Sequence, residues 1–183
     1  MESKIKTTIA FTSNILTTGA FFETSKNVEK EITSLIDSNR QGVIVEFGMG
    51  HGNITKEILN QMGPKCHLFA FEVNSKFCEH VEAILVDERL TIINDSAENF
   101  KKYVPQELTN IISSIPFSFL TKDQTKSILN FSYAQLENNS FFSQVLYTKF
   151  NFKKFQKVFD ECELKNLGGF PTEYIYHCKK IAQ

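Results

Sequence analysis

The sequence predicts an α/β fold built on a mostly parallel sheet with helices on both faces. Three observations carry the prediction. From residue 42 onward, short apolar runs of strand length alternate with helical patterns, and strand–helix–strand repetition implies parallel crossover units. The first run ends in a glycine-rich turn that leads directly into a helical pattern. The last two runs, about 161–166 and 172–178, are joined across Gly168-Gly169 and read as a closing antiparallel hairpin.

The elements follow in order. Gly42 precedes Val43-Ile44-Val45-Glu46-Phe47, a buried-strand run stopped by glycines. Residues 51–62 read as a helix, with Ile54, Ile58, Leu59 and Met62 on one side and Gly63-Pro64 as the stop. Leu68-Phe69-Ala70-Phe71 is a second strand. Phe77, Val81, Ile84 and Leu85 mark a second helix, and Leu90-Thr91-Ile92-Ile93 a third strand. A short helix is expected over 97–103, before Pro105, then a fourth strand over Ile111–Ile115 stopped by Pro116. Thr121 with Gln124 three later is a capping-box pattern opening a helix over 121–137. Ser140 to Tyr147 is a fifth strand, and Phe152, Phe155 and Phe159 repeat at helical spacing.

Composition bounds the function. A length of 183 residues, 42% of them hydrophobic, supports one domain with a sizeable core. Residues 1–40 are expected to form a helical substrate or lid segment, and 41–183 the binding core. Twenty basic against twenty-one acidic residues leave a net charge of -1. Nucleic-acid binding driven by net positive charge is disfavoured, although a local basic face is compatible with it. No apolar run reaches the 18 residues of a membrane span, and the N-terminus lacks a signal-peptide pattern. Cys66, Cys78, Cys162 and Cys178 include no C-x-x-C pair, so neither a metal site nor a disulfide framework is expected. Reduced thiols in a cytoplasmic monomer are the simplest expectation.

Open parallel sheets bind ligands outside the C-terminal ends of their strands, where strand order reverses. The chemistry-bearing residues fall there. Gly48, Gly50 and Gly52, with Met49 and His51 between them, allow a tight turn and close backbone approach to a ligand. The spacing is not G-x-G-x-x-G, and no phosphate-binding Lys-Ser or Lys-Thr follows. Glu72, with Val73, ends the second strand about 20 positions on, where an acidic residue is placed to bind ribose hydroxyls. It also suits a cap or a solvated charge. Asp95, Ser96 and Ala97 follow the third strand; Asp95 is placed to accept from a base amine, and equally to cap the next helix.

Together, VIVEFGMGHGNIT, FAFEVN and INDSAE resemble the successive cofactor motifs of class I S-adenosylmethionine-dependent methyltransferases, over about residues 17–178. The resemblance implies a Rossmann-like fold with a seven-stranded sheet, and S-adenosyl-L-methionine as cofactor. It implies that Gly48, Gly50 and Gly52 pass under the methionine part, and that Glu46 anchors the loop and the cofactor's amino group. Glu72 would hold the ribose, Asp95 the adenine amine, and Ala97 would lie beside the ring. Met49, Val73 and Ser96 complete the implied binding set.

The fourth strand end, Ile112-Ser113-Ser114-Ile115-Pro116-Phe117, bears on the methyl acceptor. It is similar to the Ser-Gly-Leu-Pro-Phe pattern of bacterial phospholipid N-methyltransferases, and more distantly to the Asn-Leu-Pro-Tyr of ribosomal RNA adenine dimethylases. Thr18-Gly19-Ala20 with Thr24-Ser25 also resembles the lipid enzymes. Gly19-Ala20-Phe21-Phe22 is related to the dimethylase N-terminal element, and Asn166 to Pro171 to a lipid-enzyme hairpin with an insertion.

Chemistry points the same way. An adenine amine is delocalised into its ring and needs a firm grip. A lipid amine is already tetrahedral and needs mainly placement. Ser113, Ser114 and the carbonyls around Pro116 are the expected grip, with Phe117 beside the developing cation or simply packed. His51, Glu98 and Tyr147 are further candidates near the site.

Two stretches suit an anionic membrane surface at the inner membrane face: an amphipathic pattern through Ile5, Ile9, Phe11, Ile15 and Leu16, and the Lys–Phe stretch 149–159. Both also read as helices covering their own core, and the lysines also suit RNA phosphates. The expectation is an N-methyltransferase acting on a phospholipid amine such as phosphatidylethanolamine. An rRNA adenine N6-methyltransferase-like enzyme and a cofactor-binding protein without transferase activity stand as alternatives.

Overall fold

A computed structural model describes residues 24–104 and 107–182. The N-terminal amphipathic pattern and Gly19-Ala20 lie outside them. Helix α1 (Lys26–Thr33) precedes β1 (Gly42–Phe47), α2 (Asn53–Gln61), β2 (Cys66–Phe71), α3 (Ser75–Ile84) and β3 (Leu90–Ile93). A 3-10 helix (Ala97–Lys102), β4 (Leu108–Ser113), a 3-10 turn (Phe117–Phe119), α4 (Lys122–Gln135) and β5 (Leu136–Leu146) follow. The single-turn α5 (Phe152–Phe155), β6 (Glu161–Gly168) and β7 (Glu173–Lys180) close the order.

The seven strands form one sheet in the order β3-β2-β1-β4-β5-β7-β6. β1 to β5 pair in parallel, and β7 inserts antiparallel between β5 and β6. Strand order therefore reverses between β1 and β4, which places a crevice at their C-terminal ends. The expected α/β class and closing hairpin are both present.

The sheet is covered twice because its central strands are apolar on both faces. On one face Ile44, Leu68, Ile112, Val145 and Ile175 pack with Val28 and Ile32 of α1 and Ile54 and Ile58 of α2. Ala70 packs there with Cys78 and Val81 of α3. On the other, Val45, Phe47, Ile111, Phe142 and Tyr176 pack with Phe100, Ile128, Leu129 and Phe155. Phe155 is fully buried and meets Phe117, Phe142 and Tyr176 at ring-centroid distances of 5.3, 5.9 and 5.1 Å. Truncating such a ring costs about 3–5 kcal/mol.

Several boundaries differ from expectation. β4 begins at Leu108 and ends at Ser113, so Ser114 to Pro116 are turn rather than strand. β5 begins at Leu136, directly after α4, and runs through its polar Glu-Asn-Asn, where Asn139 has a left-handed backbone (φ 61). The Phe152–Phe159 stripe is not an amphipathic surface helix: only one turn is helical, and Phe155 and Phe159 belong to the core.

α1 is tied to the hairpin by polar contacts. Ser25 Oγ donates to Glu173 (2.7 Å), and Lys165 pairs with Glu31 (2.6 Å). Burial lowers His177, and Glu31 only partly opposes this. The neutral ring then accepts from Ser143 Oγ (2.8 Å) and faces Glu31 at 3.2 Å. Cys162 and Cys178 are free thiols brought opposite each other by the β6–β7 register. Among the described residues no group of three or more His, Cys, Asp or Glu is placed to hold a metal, and no helix is long and apolar enough to cross a membrane.

Candidate functional site

The ends of β1, β2 and β3 are laced together by their own backbone. Gly48 and Met49 N–H both donate to Phe71 C=O (2.9 and 3.2 Å), and Glu72 N–H to Ile93 C=O (3.0 Å). Asn94 Nδ2 donates to Glu72 C=O (2.8 Å). The three expected segments are therefore one continuous rim.

Within the glycine loop all three glycines have positive φ: 82, 54 and 84° at Gly48, Gly50 and Gly52. Side chains reach that region only with strain. The surroundings differ. A Cβ at Gly52 would stand 3.0 Å from Val81 Cγ2, so this glycine is needed for close packing of α2 on α3. A Cβ at Gly50 would meet nothing within 4 Å. Gly50 is thus the open point of the loop, with room beside its backbone for a ligand.

Two acidic side chains flank the loop, and one of them braces it. Glu72, 9% exposed, accepts from Gly50 N–H through Oε2 (3.0 Å) and from Asn74 N–H through Oε1 (2.9 Å). Each oxygen keeps a lone pair for a hydroxyl donor. Glu46, 1% exposed, accepts from Thr55 Oγ1 through Oε2 (2.7 Å), while its Oε1 is buried with no partner. Burial pushes the Glu46 carboxyl up to about 8, against the Thr55 hydrogen bond, with the nearby Glu72 charge adding to the rise. An orphaned, desolvated carboxylate oxygen is a receptor for a cation or a hydrogen-bond donor.

Asp95 carries three donors: Ser96 N–H (2.6 Å) and Asn99 Nδ2 (2.8 Å) on Oδ1, and Tyr103 Oη (2.8 Å) on Oδ2. Burial pushes its carboxyl up, but these hydrogen bonds outweigh that and hold it below the usual range. It is an ionised acceptor at neutral pH. Ser96 caps the following 3-10 helix, so the capping role weighed for Asp95 falls to its neighbour. Ala97 is buried beneath, and Val73 is half exposed at the rim.

At the end of β4, Ser114 Oγ donates to Gly48 C=O (2.6 Å), which locks this turn to the glycine loop. Ser113 is fully buried with an unpartnered Oγ. Pro116 is partly exposed, and Phe117 is 2% exposed in the core against Phe155. Gln144, in register with Ser113, donates through Nε2 to Ile115 C=O (3.0 Å). No sequence motif singles out Gln144 or Tyr103. His51 lies edge-on to Phe77 at 4.6 Å, Glu98 accepts from Gln124 (3.0 Å), and Tyr147 is 41% exposed after β5.

The geometry fits a cofactor with a cationic amino group, a ribose and an adenine: a partnerless buried carboxylate oxygen, a braced carboxylate with free lone pairs, and an ionised acceptor, spread over three adjacent strand ends. Residues 14–155 match the family described as ribosomal RNA adenine dimethylase. The chain belongs to the ribosomal RNA adenine dimethylase family. This makes it a member of the S-adenosylmethionine-dependent methyltransferases.

Curated relatives agree. A ribosomal RNA small subunit methyltransferase A of Mycoplasma pneumoniae is 27% identical over 121 residues, covering 65% of this chain and 43% of the relative. A ribosomal RNA small subunit methyltransferase H of Flavobacterium johnsoniae is 33% identical over 69 residues, covering 38% of this chain and 22% of the relative. The chain thus spans less than half the length of these curated relatives. The fold is that of an rRNA methylase from Streptococcus thermophilus, with TM-score 0.66 and 18% identity, covering 88% of this chain and 99% of that one. The dimethylase-family match takes in β1 to β5 and the Ser114–Phe117 turn.

Proposed function

We propose that the protein transfers a methyl group from S-adenosylmethionine to the exocyclic amine of an adenine in RNA. The observation that carries this reading is the family match over residues 14–155. It favours the RNA acceptor over the phospholipid amine expected from Ser113 to Phe117. The burial of Phe155 and Phe159 further weakens the lipid reading, because core rings cannot meet a membrane.

The bound cofactor supplies an electrophilic methyl on a sulfonium; the protein's part is placement and electrostatics. Glu72, which braces Gly50, would accept from the ribose hydroxyls. Asp95 would accept from the cofactor's adenine amine, beside Ala97 and Ser96. Met49 and Val73 would complete the binding set, and Gly48, Gly50 and Gly52 leave the backbone bare. The unpartnered Oε1 of Glu46 would receive the ammonium group's charge.

On the acceptor side, an aryl amine becomes nucleophilic when its N–H groups are held by acceptors that keep the nitrogen lone pair out of the ring. Ser114 Oγ has a lone pair left for this, because its proton already goes to Gly48. The carbonyls around Pro116 supply the other acceptor, positioned through Gln144 on Ile115 C=O. Ser113 supports that turn from within the sheet, and Phe117 gives it an apolar floor.

The test is incubation with methyl-labelled cofactor and total RNA and lipid extracts. Label in RNA, lost with Ser114→Ala out of proportion to any weakening of S-adenosylhomocysteine binding, is the expected result. Label confined to the lipid fraction would restore the phospholipid acceptor, and binding without turnover the non-transferase alternative.

A further inference from the structure

One segment of the surface stands apart in charge and in exposed aromatics. Residues 147–159 carry Lys149, Lys153, Lys154 and Lys157 with no Asp or Glu, in a chain whose net charge is -1. Most of the phenylalanines here are inward: Phe155 and Phe159 are core, and Phe152 packs against Tyr176 at 5.2 Å. Phe150 is the exception, 88% exposed between the lysines. Phe170, in the β6–β7 turn, is fully exposed.

Both aromatics sit at the catalytic end. β5 runs parallel to β4, so residues 147–151 leave the sheet at the same end as Ser114. β7 starts there too, because Tyr174 pairs with Leu146. Tyr176 Oη donates to Thr148 C=O, which fixes the loop carrying Phe150 against β7.

Exposed rings set among lysines suit unpaired nucleotides: bases stack on the rings, and phosphates meet the ammonium groups. A lipid surface fits less well, since the rings that would form a continuous greasy face are in the core. We propose that Phe150 and Phe170, with Lys149, Lys153 and Lys154, form a stacking platform for unpaired RNA bases flanking the target adenine. The proposal rests on the RNA reading above and names the surface that recognises that substrate.

The test uses the full chain and a fluorescein-labelled RNA hairpin with an adenine-containing loop, followed by anisotropy at several salt concentrations. Phe150→Ala and Phe170→Ala are each expected to weaken binding roughly tenfold with the salt slope unchanged, as loss of one stacked base does. Lys153→Gln with Lys154→Gln is expected to lower the salt slope by about 1.4, as loss of two single-strand phosphate contacts does. Binding of S-adenosylhomocysteine stays at wild-type strength in all of them. Wild-type RNA affinity in both phenylalanine variants would overturn the platform. So would a Phe150→Ala defect seen only with phosphatidylglycerol vesicles. The two readings fail separately: methylation of RNA that ignores these substitutions removes the platform and leaves the activity, whereas RNA binding that depends on them without methyl transfer removes the activity and leaves the platform.

Discussion

Replacing Glu46 by Gln should change the pH dependence of stability in one direction only. The carboxyl is fully buried with one oxygen unpartnered, and burial raises it from 4.5 to about 8 in the folded chain. A raised folded value means the neutral form is favoured. The stability is then fully present below pH 4.5 and is lost as the pH rises towards 8. Each tenfold change in proton affinity is worth about 1.4 kcal/mol, so the whole loss has a ceiling of about 5 kcal/mol. Integrating the linkage gives about 3 kcal/mol lost by pH 7, and about 2.5 kcal/mol of it between pH 5 and pH 7.

Glutamine keeps the Thr55 hydrogen bond and cannot ionise. Urea unfolding of both proteins at half-unit pH steps isolates the effect, because every other titrating group cancels in the difference. The stability advantage of Glu46→Gln should grow by about 2.5 kcal/mol from pH 5 to pH 7 and level off above 8. A difference that stays flat over that range would refute the reasoning. The same group sets a sign for cofactor binding. An ammonium beside Oε1 favours the ionised carboxylate, so binding of S-adenosylhomocysteine to wild type should release a proton near pH 7, and the Gln variant should release less.

Four further outcomes follow from the geometry. Glu72→Ala removes the acceptor of Gly50 and Asn74 N–H together with the proposed ribose contact, and should weaken S-adenosylhomocysteine roughly tenfold to a hundredfold by calorimetry; wild-type affinity would remove Glu72 from the site. Gly52→Ala adds a contact with Val81 to left-handed strain and should lower Tm by roughly 4–8 °C, while Gly50→Ala, which meets nothing, should cost about half as much in a thermal melt. Ser114→Ala should lower kcat more than it weakens the cofactor, since it loosens the turn but leaves Glu72 and Asp95 in place. Tyr103→Phe takes one of three donors from Asp95; chemical-shift titration of the Asp95 carboxyl should show its pKa rising towards the ordinary value, and no movement would count against the hydrogen bond.

Much of this arrangement is legible in the sequence for a physical reason. Central parallel strands are buried on both faces, so Leu68–Phe71 stands out as an unbroken apolar run and Val43–Phe47 as one interrupted only by Glu46, and the residues ending them mark the candidate site without any structure. Boundaries are less legible where polarity misleads: Glu137 reads as the end of a helix and Asn138-Asn139 as the break before a strand, but all three lie inside β5. The Phe152–Phe159 spacing fits an amphipathic helix and a single buried turn equally well, and only the position of β7 beneath it decides.

The contacts that tune the site carry no local signal at all. Thr55 to Glu46 spans 9 residues, Gln144 to Ile115 spans 29, and Ser114 to Gly48 spans 66. The last two exist only because the β1–β4–β5 register brings those strand ends side by side, and the first because α2 folds back on β1. Tyr103 belongs to the same class, since its hydroxyl reaches Asp95 only after the 3-10 helix turns the chain back.

Methylation of an adenine amine in RNA is best checked by nucleoside mass spectrometry. RNA incubated with the protein and deuteriomethyl-labelled S-adenosylmethionine is digested to nucleosides and compared with RNA treated with Glu72→Ala. Labelled N6-methyladenosine or N6,N6-dimethyladenosine is expected with wild type and strongly reduced label with the variant. Label on any other nucleoside, or on lipid amine with RNA unlabelled, would contradict it.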